Sequence, residues 1–301
     1  MSAKFTLSTV ADKINHYTGM PNFETFDLLY SIFEDEDLLY YSGWRVECIS
    51  KKDQLLLSLM KLRRNYSNID LAQRFQVSTA SVSNVFLTWR HALHEFLVAG
   101  LLAKMPRRFK NKASMPKAFS SYESCRVVLD CTEVFAAVPR KMSDQNAMYS
   151  DYKRRITLKG LVGIAPNGTV TFVSKLFPGS LSDKEIARVS GVLGQLEPGD
   201  FILADKGFLI GDLLPSGVSL NIPPFRTTPP FTPSQVEDTL CIAQSRIHVE
   251  RAIRCGKTFR ILDFIPRQYV AYASLIFQLC FVLTNFKTPL IAEVKECMLK
   301  N

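Results

Sequence analysis

Little in this chain supports chemistry built on sulfur, imidazole or glycine. Its seven cysteines form no Cys-x-x-Cys pair and their number is odd, so neither a disulfide framework nor a zinc finger is expected. Only Cys241 and His248 approach zinc-ligand spacing, and they stand alone. With four histidines, no Gly-x-Ser-x-Gly turn and no glycine-rich phosphate loop, hydrolase triads and nucleotide-driven mechanisms have no residues to carry them. No basic, apolar and small-residue leader opens the sequence, so a secretory signal is not expected. The longest apolar tract, 268–286, is interrupted by Gln268, Ser274, Gln278, Thr284 and Asn285. Its unbroken runs fall short of the roughly 20 residues a membrane span requires, so a buried C-terminal helix is expected there. The cysteine usage fits a reducing compartment.

What is present is enough apolar sequence for a sizeable core: 301 residues, 47% of them hydrophobic, in one large domain or two. The net charge of +9 suits a polyanionic partner, and its distribution is informative. Residues 1–50 hold 3 Lys and Arg against 8 Asp and Glu, whereas 51–120 hold 13 against 3. The positive field is therefore local.

Residues 51–97 have helical periodicity, with Leu55, Leu56, Leu59 and Leu62 on one face. A short helical stretch, Ile69 to Phe75, is followed by Gln76-Val77-Ser78 and a longer one in which Val82, Val85, Phe86, Trp89 and Leu93 recur at helical spacing. This is a helix-turn-helix pattern, and the start of its second helix would enter a DNA major groove. Thr79, Ser81, Ser83 and Asn84 are then the candidate DNA contacts; the competing reading is an all-helical packing or dimerisation module, since few Lys or Arg lie on that helix. Lys104, Arg107, Arg108, Lys110, Lys112 and Lys117 follow with no acid among them. They predict a solvated basic linker, about 104–117, and a domain boundary near 120, between a helical region 1–120 and a second domain 121–301.

Beyond 120 the period changes to that of strands. Cys125 to Val138, Ile156 to Ala165 and Val170 to Phe177 alternate or run apolar, and Pro166-Asn167-Gly168 between the last two is a hairpin turn signal. Three adjacent antiparallel strands are expected. Ser182 and Glu185 form a capping box opening a helix towards Leu196. Short strands at Phe201–Ala204 and Val218–Ile222, a proline-rich loop from Pro223 to Pro233 and a helix from Ser234 to about Phe259 complete a mixed α/β sheet domain.

Three acids sit where these elements could deliver them to one point. Asp130 lies on the first strand, Asp205 follows the Phe201–Ala204 strand, and Glu250 lies on the last predicted helix. Like-charged carboxylates cannot share a site cheaply without a cation, and hard divalent ions such as Mg2+ prefer oxygen ligands. The set points to phosphodiester chemistry. Arg246, Arg254 and Lys257 lie near the Glu250 face of the helix, either as intrahelical ion pairs or as grips on substrate phosphates. Tyr149, Lys153, Arg154 and Arg155, ahead of the hairpin, could track DNA backbone or be a solvated loop. Asp183 competes for the site, although its place just after the Ser182 cap is explained by the helix dipole. Glu133, three residues along the strand from Asp130, should face the other side of the sheet.

The segments Leu129–Glu133, Tyr149–Lys153, Pro178–Lys184, Gly199–Phe208 and Arg246–Ile253, in that order, resemble the endonuclease domain of PIF/Harbinger-type DDE transposases over roughly residues 124–285. The helix-turn-helix region resembles the one found upstream in that group. The resemblance implies an RNase H-like mixed sheet flanked by helices, after an N-terminal all-α helix-turn-helix region. The first Asp would lie on the first strand, the second after the fourth, and the Glu on a following helix. It implies that Asp130, Asp205 and Glu250 are catalytic and bind two Mg2+ or Mn2+ ions, with Asp183 a further acid. Arg246 and Lys257 match the family's basic flanks, while a Tyr sometimes found three residues before the Arg is replaced by Ala243. It also implies cutting and joining at transposon ends, DNA partners at terminal repeats and target, homo-oligomers, and nuclear residence. Because the sequence holds no zinc finger of the kind some relatives carry, a Myb-like accessory DNA-binding protein is expected. Two alternatives stay open: a domesticated descendant that binds DNA or protein without cutting, and a stand-alone metal-dependent nuclease.

Overall fold

The structure, a computed structural model, describes residues 5–112, 114–205, 207–222 and 247–289. Arg246, Ala243, Cys241 and the expected proline-rich loop lie outside the described residues.

Serine caps open three helices within the tract 51–97 that the sequence marks as helical. Ser50, Ser67 and Ser78 each accept a backbone N–H three residues on, opening α1 (Lys51–Arg64), α2 (Asn68–Phe75) and α3 (Thr79–Leu93). Asn65 and Gln76, both with φ of 54°, end the first two by turning left-handed. Leu55, Leu56, Leu59 and Leu62 are buried, and so are Leu57 and Met60. The helix is enclosed on more than one side.

Among the described residues seven strands build the sheet: β1 (Cys125–Phe135), β2 (Tyr149–Ser150), β3 (Arg155–Ile164), β4 (Val170–Val173), β5 (Phe177–Pro178), β6 (Phe201–Ala204) and β7 (Ser219–Asn221). Their order is β2-β3-β1-β6-β7, with β4 and β5 also paired to β3. β1, β3 and β4 are antiparallel, whereas β6 lies parallel to β1 and β7 parallel to β6. The β3–β4 turn uses Gly168 at φ 87°, and Asn167 accepts the Thr169 N–H, which is the conformation an Asn-Gly pair favours. With the two-residue β2 and β5 set aside, β6 is the fourth strand. The sheet is the RNase H-like mixed type.

Helices cover both faces. One face carries a core that includes Val128 and Val134 of β1, Val249 and Ala252 of helix α5 (247–256), and Phe277 and Phe281 of helix α6 (Ala273–Val282). Gly160 of β3 lets α6 approach, because a Cβ there would stand 2.6 Å from the Phe277 ring. The apolar C-terminal tract is thus a core helix. The other face holds a smaller core with Val127, Leu129, Leu161, Ile202 and Phe208, closed by Ile186 of helix α4 (Asp183–Val189). α4 is shorter than the tract towards Leu196 predicts, because Gly191 turns left-handed at φ 85°.

The larger core is continuous from Leu7 through Leu59, Val85 and Trp89 to Leu283. Helical region and sheet therefore share one apolar interior. The basic segment between them is not a free linker. Arg107 pairs with Glu197 and Lys112 with Glu123, both at 3.3 Å. Arg108 donates to the Pro198 carbonyl at 2.9 Å, and buried Asn111 donates to the carbonyls of Cys125 and Arg126. Acids that lie far along the sequence neutralise cations that looked unopposed within their own segment.

Candidate active site

Strand alternation and register determine which acids meet. On β1, Val127 and Leu129 face the smaller core while Val128 and Val134 face the larger, so Asp130 shares the larger-core face. Val128 pairs with Leu203 and Leu129 with Ala204 across the parallel β1–β6 ladder. One step further sets Asp205 beside Asp130, and the alternation from Leu203 puts it on the same face. Neighbouring strands stand roughly 4.8 Å apart, so two carboxylates are held side by side. Glu250 comes from α5, which packs on that face through buried Val249 and Ala252.

Asp130, Asp205 and Glu250 line one cleft of about 560 Å³. Also on its wall are Cys131, Thr132, Glu133, Tyr152, Lys153, Lys159, Asp183, Ile253 and Lys257. Glu250 and Ile253 of α5 and Lys257 just after it recur at helical spacing, which explains why this stripe meets the cleft. Arg254, four residues from Glu250, is exposed and does not line it. Arg154 and Arg155 do not line it either; the Arg155 guanidinium lies over the Phe135 ring at 5.3 Å.

Asp183 is brought in from the opposite side of the sheet. Ser182 caps α4 by accepting the Glu185 N–H at 3.2 Å, and the Asp183 carboxylate stands 2.7 Å from the Lys159 ammonium. Lys159 also donates to the Leu181 carbonyl at 3.1 Å. Burial pulls the Lys159 ammonium down, but the bond and charge of Asp183 outweigh it and hold its pKa above the ordinary lysine value. A Cβ on Gly207 would meet Asp183 Oδ2 at 2.7 Å, so the glycine after the Asp205 turn keeps room for that carboxylate. Glu133 pairs across the ladder with Lys159 and accepts the Thr157 hydroxyl at 2.7 Å. By strand alternation it faces away from Asp130, yet it lines the same cleft. Lys159 was missed in the sequence; the available signal was a lysine inside the otherwise apolar run of β3.

Burial first, then the neighbouring Asp183, holds the Cys131 thiol well above its usual range. Lys257 is depressed, first by desolvation within the cleft and next by the like charge of Lys153, with Glu133 and Asp130 opposing. His248 is buried against Phe119 and lowered by that burial. It serves the core.

Five carboxylates and three ammonium groups on the wall leave an acid excess of two. A hard divalent cation fits that donor set by charge and ligand type. Among the described residues, no three acidic, histidine or cysteine side chains are close enough to hold one ion as they stand.

The helix-turn-helix expectation needs correction at two positions. Asn84 is fully buried, donating to the Trp44 carbonyl at 2.8 Å and accepting the Ser42 N–H at 3.0 Å. Ser81 is buried too, its hydroxyl 2.9 Å from that of Ser78. Asn84 points inward because segment 41–45 lies over that side of α3, a long-range contact no local pattern reveals. Thr79 is exposed, and half-buried Ser83 accepts from Asn68 at 2.8 Å.

A mixed sheet thus brings two aligned aspartates and a helix-borne glutamate to one cleft. The family model described as DDE superfamily endonuclease matches residues 129–285, about half of the chain, and the chain belongs to that family. A second model, the helix-turn-helix of DDE superfamily endonuclease, matches residues 47–98. Neither a curated protein nor a solved structure matched the chain.

Proposed function

We propose that this protein is a DNA transposase nuclease of the PIF/Harbinger type, cutting and joining phosphodiester bonds at transposon ends. The supporting observation is the gathering of Asp130, Asp205 and Glu250 with Lys153 and Lys257 on one cleft. The three carboxylates would hold Mg2+ or Mn2+, with Asp130 and Asp205 flanking and Glu250 completing the set. When bound, two such ions lower the pKa of an attacking water or 3′-hydroxyl and stabilise the leaving oxygen. Lys153 and Lys257 take phosphate oxygens of the strand being cut, which relieves their mutual repulsion. Asp183 is matched by Lys159 and acts as a wall of the cleft rather than as a ligand. Thr79, Arg154, Arg155 and Arg254 contribute to DNA affinity from outside the cleft lining, and Arg246 is a further DNA contact that the resemblance implies. A homo-oligomer, a Myb-like accessory protein and nuclear residence accompany this reading as inferences from the resemblance and the DNA substrate.

The test is metal-dependent nicking of DNA carrying candidate terminal inverted repeats, comparing the native chain with Asp130→Asn and Glu250→Gln. Equal cutting by all three would show that the site is wrongly assigned. A second reading, a domesticated DNA-binding descendant, draws on the fact that no three acidic, histidine or cysteine side chains among the described residues are placed to hold one ion. Specific DNA binding without cutting in Mg2+ or Mn2+ would favour it.

A further inference from the structure

Tyr152 is 83% exposed although it lines the active-site cleft. It sits in the four-residue turn 151–154 that joins β2 to β3, where Tyr149 pairs with Ile156 and Ser150 with Arg155. The turn is well braced. Buried Ser150 accepts the Lys153 N–H at 3.1 Å, Arg154 adopts a left-handed φ of 52°, and Arg155 is anchored over Phe135. The Lys153 ammonium lies 4.5 Å from the Tyr152 ring centroid. One face of the ring therefore carries a cation, while at 83% exposure the rest is open to solvent. A large aromatic side chain held open on a fixed turn leaves apolar area uncovered, at the mouth of a cleft where Lys153 and Lys257 present positive charge.

We propose that Tyr152 is a nucleobase platform: its ring stacks on an unpaired base adjoining the phosphate held by Lys153 and Lys257, so that the chain engages DNA whose strands have opened locally. This rests on the nuclease reading above. Paired bases inside a duplex offer only their edges to a protein, so a ring face can be used only where a base is unstacked or single-stranded. Base–aromatic stacking tolerates any sequence. Tyr152 would thus select the state of the DNA and not its sequence.

The test uses the full chain and two probes of equal length, a blunt duplex and a forked duplex with 2-aminopurine at the first unpaired position, in Ca2+. The native chain is expected to bind the fork more tightly and to quench the 2-aminopurine. Tyr152→Ala should abolish the quench and weaken fork binding by about 5- to 150-fold, the range of one stacked base. Blunt binding should change less than about twofold on the same basis. Tyr152→Trp should restore quench and fork preference, whereas Lys257→Ala should weaken both probes alike. Quench and affinity unchanged in Tyr152→Ala overturn the proposal. Cutting of the forked probe in Mn2+ separates the two readings. A native chain that stacks without cutting sinks the nuclease assignment alone. One that cuts equally with and without Tyr152 sinks the platform alone, and one that binds neither probe sinks both.

Discussion

The Lys159 ammonium and the Asp183 carboxylate form a 2.7 Å ion pair across the cleft wall, joining a residue of β3 to the first residue of α4. Both side chains are largely buried, at 16% and 25% exposed. Asp183 therefore enters the site with its charge already matched. We expect Asp183→Asn to retain cutting within about tenfold, a cost near 1.4 kcal/mol. Lys159→Met leaves that carboxylate uncompensated and should lower unfolding stability by on the order of 2 kcal/mol in urea titrations. Complete loss of cutting in a normally folded Asp183→Asn chain would make it a metal ligand.

Replacing Asp130, Asp205 or Glu250 by the matching amide should reduce cutting in Mn2+ by on the order of 10³-fold, since a Lewis-acid ion is worth several kcal/mol. Thermal stability without metal should be unchanged or raised, because one repulsive charge is removed. Mn2+ at a hundred times its Kd should stabilise the native chain by about 2.7 kcal/mol. The amide variants should lose that response; a full response in all of them would locate the ion elsewhere.

Lys61 gives a pH signature. Its side chain is buried, donates to the Tyr66 carbonyl at 2.9 Å, and burial lowers its pKa to about 8 from 10.5. Below pH 8 both states carry the proton and the folded state bears the full desolvation cost. Between pH 8 and 10.5 the folded chain has released the proton while the unfolded chain keeps it, so stability rises with pH, by on the order of 3 kcal/mol in all. Melting curves for Lys61→Met should lack this rise relative to the native chain. Parallel curves for the two proteins would refute the assignment.

Asn84→Ala should cost about 1–3 kcal/mol, because it removes two part-buried bonds, to the Trp44 carbonyl and from the Ser42 N–H. Limited proteolysis should then cleave near residues 41–45, with DNA affinity per folded molecule unchanged. A selective loss of DNA binding at native stability would restore Asn84 as a groove contact.

Gly160→Ala tests the closeness of α6 to the sheet. The added methyl would meet the Phe277 ring at 2.6 Å, and overpacking of this kind costs about 1–3 kcal/mol. Stability equal to the native chain in urea would show that the ring can move aside freely.

Much of the architecture could be read from local signals. Serine caps, the Asn-Gly turn and the change from helical to alternating period are short-range chemistry, so α1 to α3, β1, β3 and β4 emerge where the sequence predicts them. The parity of Asp130 and Glu133 on β1 followed from strand alternation alone, and their cross-strand partners agree with it. Residues whose setting depends on distant segments were harder. Asn84 looked like a groove contact because nothing near it announces the segment 41–45 that covers it. Likewise the basic run 104–117 gave no hint of Glu197 and Asp200, whose carboxylates meet Arg107 and Arg108.

By itself, then, the sequence determined which residues are strand or helix and which acids end apolar segments, because periodicity, caps and turns act over a few residues. Only the tertiary structure decided that β6 runs parallel beside β1, so that Asp205 stands next to Asp130 on the Glu250 face. It alone matched Asp183 with Lys159 and left Tyr152 open at the cleft. Strand register and helix packing come from burial summed over the whole core, and no local pattern contains that sum.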